Sequence, residues 1–170
     1  MMKMRQLLII IVLVSFTEGY SQTPCRCCTP QHEQFDFWVG DWIVYDTAGN
    51  KVGENTIVKL EGNCVLSEHW RGARGGTGRS YNYFDSSDHT WNQLWLDNSG
   101  TILKLKGSPG ENTMSLKSEL TIGPNNLKYY NRITWTRNKE GTVTQLWEIL
   151  DPSDAVLSVA FIGVYKRKLN

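Results

Sequence analysis

One carboxylate in the stretch "CVLSEHW", Cys64 to Trp70, stands where ionisation is costly. Along an extended strand the side chains alternate, so Cys64, Leu66, Glu68 and Trp70 share one face, and Val65, Ser67, His69 and Arg71 the other. With the Trp70 face inward, Glu68 lies among aromatic groups and must either meet a cation or titrate high. Arg132, in "NRITW", is the candidate partner. Such a pair can serve as a general acid/base or hold the polar head of a ligand. The same pair can equally be a structural ion pair or hydrogen-bond network that closes one end of a fold. Ser80, Asn82, Gln93 and Gln145 can extend that network. Trp91, Gln93 and Trp95 share a face in "WNQLW", as do Val143, Gln145 and Trp147 in "VTQLW". The opposite faces carry leucines, so alternation alone does not choose between them; the Trp and Gln faces are taken as inward because large aromatics are costly in water. Indole faces interleaved with amides suit a ring-shaped or amphipathic ligand, although amides can also satisfy one another or buried water. The ligand-binding candidates are therefore Glu68, Trp70, Asn82, Gln93, Trp95, Arg132, Gln145 and Trp147, with no catalytic residue assigned.

Other chemistries find little support. "GARGGTGRS", Gly72 to Ser80, is glycine-rich and basic, but it joins two strands and no helix follows to supply an N-terminal dipole. It reads as a hairpin at a barrel mouth. His32, His69 and His89 fall in a lead-in, on an outward face and in a turn, and assemble no metal pair or nucleophile triad. No metal site and no cofactor is expected.

The elements that must position these residues are strands. From Gln31 onward, short runs of β-branched and aromatic residues are each closed by Gly, Asn, Asp or Pro. Strands are predicted near 42–45, 55–60, 64–72, 79–84, 90–96, 102–106, 113–120, 128–136, 142–149 and 156–166, and no helical period intervenes. The fold class is all-β: about ten sequential strands joined by short turns, an up-and-down antiparallel meander whose closure into a single barrel removes exposed edges. A sandwich of the same strands is the competing arrangement.

Residues 1–21 form a separate unit. Lys3 and Arg5 precede the apolar run Leu7 to Val14, and Gly19 and Ser21 are small residues at the −3 and −1 positions for cleavage before Gln22. This is the pattern of a secretory signal peptide, too short in its apolar core to span a bilayer. A leader of residues 22–34 and a barrel domain of residues 35–170 follow, with no linker dividing the latter. The expected location is outside the cytoplasm, periplasmic or extracellular. Removing residues 1–21 takes away two of the 18 basic and one of the 17 acidic residues, leaving 16 of each. With no polybasic block, nucleic acid is not expected as a partner, nor a membrane after cleavage. In an exported protein Cys25, Cys27, Cys28 and Cys64 are read as disulfide partners, with a bridge from the 25–28 cluster to Cys64. "CRCC" lacks the CxxC spacing of well-formed zinc sites.

Within this meander, "FDFWVGDW" takes on meaning. Gly40-Asp41-Trp42 on the first strand resembles the G-x-W signature of the lipocalin and calycin barrels. There the tryptophan closes the barrel floor and a basic residue of the last strand packs over it; "FIGVYKRK" offers Arg167 or Lys166 for that part. Phe35, Phe37 and Trp38 are expected to plug the same end. More closely, "FDFWVGDW", "GNCVLSEHW", "GTGRSYNYFD", "WNQLWLDNSG", "NRITWTRN", "QLWE" and "FIGVYKR" resemble a group of uncharacterised bacterial secreted proteins with a lipocalin-like barrel, over residues 31–168. The resemblance implies a fold and no established activity. A small hydrophobic or amphipathic ligand bound in an aromatic cavity is the expected function. A small barrel enzyme (isomerase, cyclase or hydrolase) using Glu68 as acid/base, and a solid-core structural or interaction module, are the alternatives.

Overall fold

The computed structural model describes residues 25–169; the predicted signal peptide and the first residues of the leader lie outside the described residues. A 3-10 turn, Asp36–Trp38, leads into eleven strands, with a second 3-10 turn, Pro124–Asn126, between β8 and β9: β1 Gly40–Tyr45, β2 Lys51–Leu60, β3 Val65–Gly72, β4 Thr77–Asp85, β5 Thr90–Asp97, β6 Ile102–Pro109, β7 Thr113–Lys117, β8 Thr121–Ile122, β9 Lys128–Arg137, β10 Val143–Leu150 and β11 Val156–Arg167. Each strand from β1 to β6 pairs antiparallel with the next, β7 pairs with β9, β9 with β10, β10 with β11, and β11 returns to β1. Ten strands thus close into one antiparallel barrel, as the alternation and short turns require, and the sandwich arrangement is excluded. β8 stands outside the ring, paired only with the beginning of β9.

The strands form where one side of the period-two pattern is apolar or able to bond internally. β4 alternates exposed and buried through Gly78, Ser80 and Asn82, and β2 through Gly53, Asn55 and Ile57. Seven predicted strands lie within a residue or two of their observed bounds, while β2 and β6 run further. The predicted strand at 113–120 stops at Lys117 instead. There the Ser118 hydroxyl accepts the Asn131 backbone N–H and the Ser118 N–H reaches the Asn131 carbonyl, so the chain turns out into the β8 excursion.

Several hairpins are tied by an aspartate at the head of the turn. Asp97 Oδ1 accepts the backbone N–H groups of Ser99 and Thr101 and the Ser99 hydroxyl; Asp151 Oδ1 does the same with Ser153 and Ala155. Asp46 and Asp85 repeat the motif in part. These bonds replace the ladder bonds lost in the turn. They also hold the Asp97 carboxyl down at about 2, chiefly through the Ser99 hydroxyl.

One end of the barrel, where β1 begins and β11 ends, is sealed by aromatics. Phe35 and Trp38 are fully buried and stack with ring centroids 4.9 Å apart, and Trp91 and Trp135 close on Phe35 from the barrel wall. Trp42 donates its indole N–H to the Trp38 carbonyl at 2.8 Å, and the Arg167 guanidinium lies 3.9 Å over its ring. Arg167 also bonds the Val39 carbonyl at 2.6 Å. Gly40 makes this crossing feasible: its φ is +136°, and a Cβ there would sit 1.7 Å from Arg167 Nη1. Of the two basic residues considered for the part, Arg167 fills it, while Lys166 lies against Tyr45.

All four cysteines are bonded. Cys27–Cys64 ties the leader to the β2–β3 turn across 37 residues, and Cys25–Cys28 closes a short loop within the leader. The expected long-range bridge is present, and a second, local bridge accompanies it.

Candidate functional site

The half of the barrel away from the plug is not filled. It holds a cavity of about 230 Å³, whose wall includes Trp70, Trp95, Trp135, Trp147 and Phe161, with Leu103, Ile133 and Ala160 between them. Two strand glycines give the indoles room to lie along the wall. A Cβ on Gly53 would meet the Trp70 ring at 2.4 Å, and one on Gly78 would meet the Trp95 ring at 2.3 Å. Each indole thus leans diagonally across the neighbouring strand onto a position without a side chain. Trp147 is fixed by donating its N–H to Asn131 Oδ1 at 2.9 Å, and Trp70 meets Phe161 edge-on at 6.1 Å.

The inner side of the cavity is polar and is built from six strands. Glu68, on β3, is 5% exposed. Its Oε1 accepts the Asn55 amide of β2 at 2.7 Å, and its Oε2 accepts the Ser80 hydroxyl of β4 at 2.6 Å. Ser80 accepts the Asn82 amide at 2.9 Å, and Asn82 Oδ1 accepts the Gln93 amide of β5 at 2.7 Å. On the other side, Asn55 reaches the Tyr165 hydroxyl of β11 at 3.4 Å, and that hydroxyl donates to Gln145 Oε1 of β10. A continuous chain, Gln93–Asn82–Ser80–Glu68–Asn55–Tyr165–Gln145, therefore spans the interior. Two buried polar atoms near this site have no hydrogen-bond partner, Asn55 Oδ1 and the Trp135 indole N–H.

The electrostatics of the chain centre on Glu68. Burial raises its pKa to about 7, against the smaller lowering effect of the Ser80 and Asn55 hydrogen bonds. Burial first, and the Glu68 charge second, hold the Tyr165 phenol well above its ordinary value. The cavity thus carries one carboxylate balanced between its two forms, with neutral donors on each side. This arrangement can accept a proton, or a hydrogen bond, from a molecule lying against the indoles.

Six of the eight candidates from the sequence line the cavity: Glu68, Trp70, Gln93, Trp95, Gln145 and Trp147. Asn82 is fully buried behind them as a link in the polar chain. Arg132 is the correction. On β9 the inward positions are Asn131, Ile133 and Trp135, which leaves Arg132 on the outer face, where it binds Glu148 with Nη2–Oε2 2.9 Å and Nε–Oε2 3.0 Å. It does not meet Glu68, whose partners are neutral. Asn55, Trp135, Phe161 and Tyr165 were not among the candidates. The alternation Asn131, Ile133, Trp135 was a usable signal for Trp135 and against Arg132. Asn55 and Tyr165 depend on the stagger between strands far apart in the chain.

Comparison with known protein families finds no family model that matches this chain, and comparison with curated proteins finds no match either.

Proposed function

We propose that the protein is an exported, lipocalin-like barrel that binds a small hydrophobic or amphipathic molecule in its aromatic cavity. The observation that carries this is the cavity itself: about 230 Å³ of space bounded by indoles held in place from behind, with a buried polar chain along its inner side. A tightly packed core would leave no such volume. A cavity of ~150 Å³ takes up benzene, so this one suits roughly ten non-hydrogen atoms. The seal of Trp42 by Arg167 beside Gly40 supports the lipocalin-like reading, and the two disulfides support export. The test is a titration of intrinsic tryptophan fluorescence with small aromatic compounds. Saturable quenching or a spectral shift is expected, weakened by Trp95→Ala; no response to any compound overturns the reading.

The enzyme reading has one observation in its favour, the Glu68 carboxyl brought to about 7 at a cavity wall, a value suited to proton transfer near neutrality. Without Arg132 nearby, its acid/base role would rest on Glu68 and Tyr165. Isomerisation or hydrolysis of small aromatic esters and ketones that depends on Glu68 would establish it, and turnover unchanged in Glu68→Gln would dismiss it.

A further inference from the structure

We propose that the molecule this cavity takes is a protonated amine on a small apolar body, with its ammonium group against Glu68 and its body between the indoles. This rests on the ligand-binding reading above and names the ligand's class.

The charges around the cavity point one way. Its lining contains a single carboxylate and no lysine, arginine or histidine. The cations that could have reached it are committed elsewhere: Arg132 to Glu148 outside, and Arg167 to Trp42 and Val39 at the plug. From every strand packed against Glu68 the facing groups are neutral. They are Asn55 on β2, Ser80 on β4 and the phenol of Tyr165 on β11, with Gln93 and Gln145 further along the chain.

A buried carboxylate without a counter-charge gains most from a ligand that brings one. An anionic ligand, such as a fatty acid or an aromatic acid, would place a second negative charge beside it. The walls favour the same sign. Four tryptophans and a phenylalanine line the wall, and the π-faces of such rings attract a cation that has left water. Asn55 gives its amide N–H to Glu68 and leaves its carbonyl buried without a donor, so one acceptor beside the carboxylate stands free for a ligand N–H.

The state of Glu68 provides a second signature. With its pKa raised to about 7 by burial, Glu68 in the empty site retains protonated carboxyl near neutrality. An ammonium beside it favours the carboxylate, so binding releases protons to the buffer. The amine, with an ordinary pKa near that of lysine, stays charged.

The test is calorimetric titration of the purified protein with three molecules of nearly equal size: 2-phenylethylamine, 2-phenylethanol and phenylacetate. At pH 8, where Glu68 is mostly ionised, the amine should bind about tenfold or more tightly than the alcohol, and phenylacetate most weakly. Glu68→Gln should bring the amine-to-alcohol ratio close to one. At pH 7, the wild-type binding enthalpy for the amine should change with the ionisation heat of the buffer in the direction of proton release. That measurement needs no variant to fold. Binding of the alcohol or phenylacetate as tight as that of the amine overturns the inference and leaves the cavity reading standing. An amine preference that survives Glu68→Gln, or no proton release, removes Glu68 as its seat. Failure of all three compounds to bind overturns the cavity reading itself.

Discussion

Replacing Glu68 by glutamine should stabilise the barrel at alkaline pH and do little in acid. The native carboxyl titrates at about 7 against an ordinary 4.5, and its first cause is burial. Between those values the folded state holds a proton that the unfolded chain has lost, so stability falls as pH rises. Glu68's favourable contribution is complete below pH 4.5 and is lost as pH passes through about 7. At about 1.4 kcal/mol per pH unit, the loss comes to about 3 kcal/mol by pH 8. Glutamine keeps the shape and an acceptor for Asn55, and never ionises. The assay is urea unfolding with the disulfides intact, followed by tryptophan fluorescence from pH 4 to pH 8 for both proteins. Their difference removes the contribution of surface carboxylates such as Asp97, which titrate lower and carry the opposite sign. The variant should gain about 3 kcal/mol on wild type across that range. A difference independent of pH would show instead that Glu68 is solvated or already paired with a cation.

Three further outcomes follow from the packing. Gly78→Ala places a methyl group 2.3 Å from the Trp95 ring, so the indole must swing into the cavity; about 1–3 kcal/mol should be lost in chemical denaturation, and any ligand affinity with it. Arg167→Ala removes both the bond to Val39 and the cation over Trp42, and should cost about 1–3 kcal/mol, measured in the same way, with a change in the tryptophan near-ultraviolet circular dichroism. Removing Cys27–Cys64 by a double serine substitution opens a loop of 37 residues and should cost about 4 kcal/mol, whereas loss of Cys25–Cys28 should cost less, both read from denaturation midpoints.

The legible part of the fold was the part written in period two. Leu66 and Glu68 on β3 follow from alternation because the opposite face is mostly polar, whereas Trp91, Gln93 and Trp95 on β5 needed the cost of leaving indoles in water, since Leu94 and Leu96 make both faces apolar. The choice for Gln145 and Trp147 needed the cost of leaving an indole in water, since Leu146 made both faces apolar. Arg132 was misplaced because its charge was matched to Glu68 before the alternation of its own strand was followed. Its true partner, Glu148, lies directly opposite on β10. Asn55 and Tyr165 were out of reach for a different reason. They come together 110 residues apart through barrel closure, which depends on stagger and not on local pattern. The aspartates that tie the turns, Asp46, Asp85, Asp97 and Asp151, repeat a visible arrangement of small polar residues. Asp is among the residues that close the strands in the sequence, and the structure adds that its carboxylate accepts the turn N–H groups.

A crystal structure of the protein grown with 2-phenylethylamine would show whether the aromatic-walled cavity turns its one carboxylate to a ligand. The expected result is the phenyl ring within the cavity bounded by Trp70, Trp95 and Trp147, with its nitrogen within hydrogen-bond distance of Glu68. A cavity closed by the protein's own side chains, with the amine absent from it, would rule out a ligand site there.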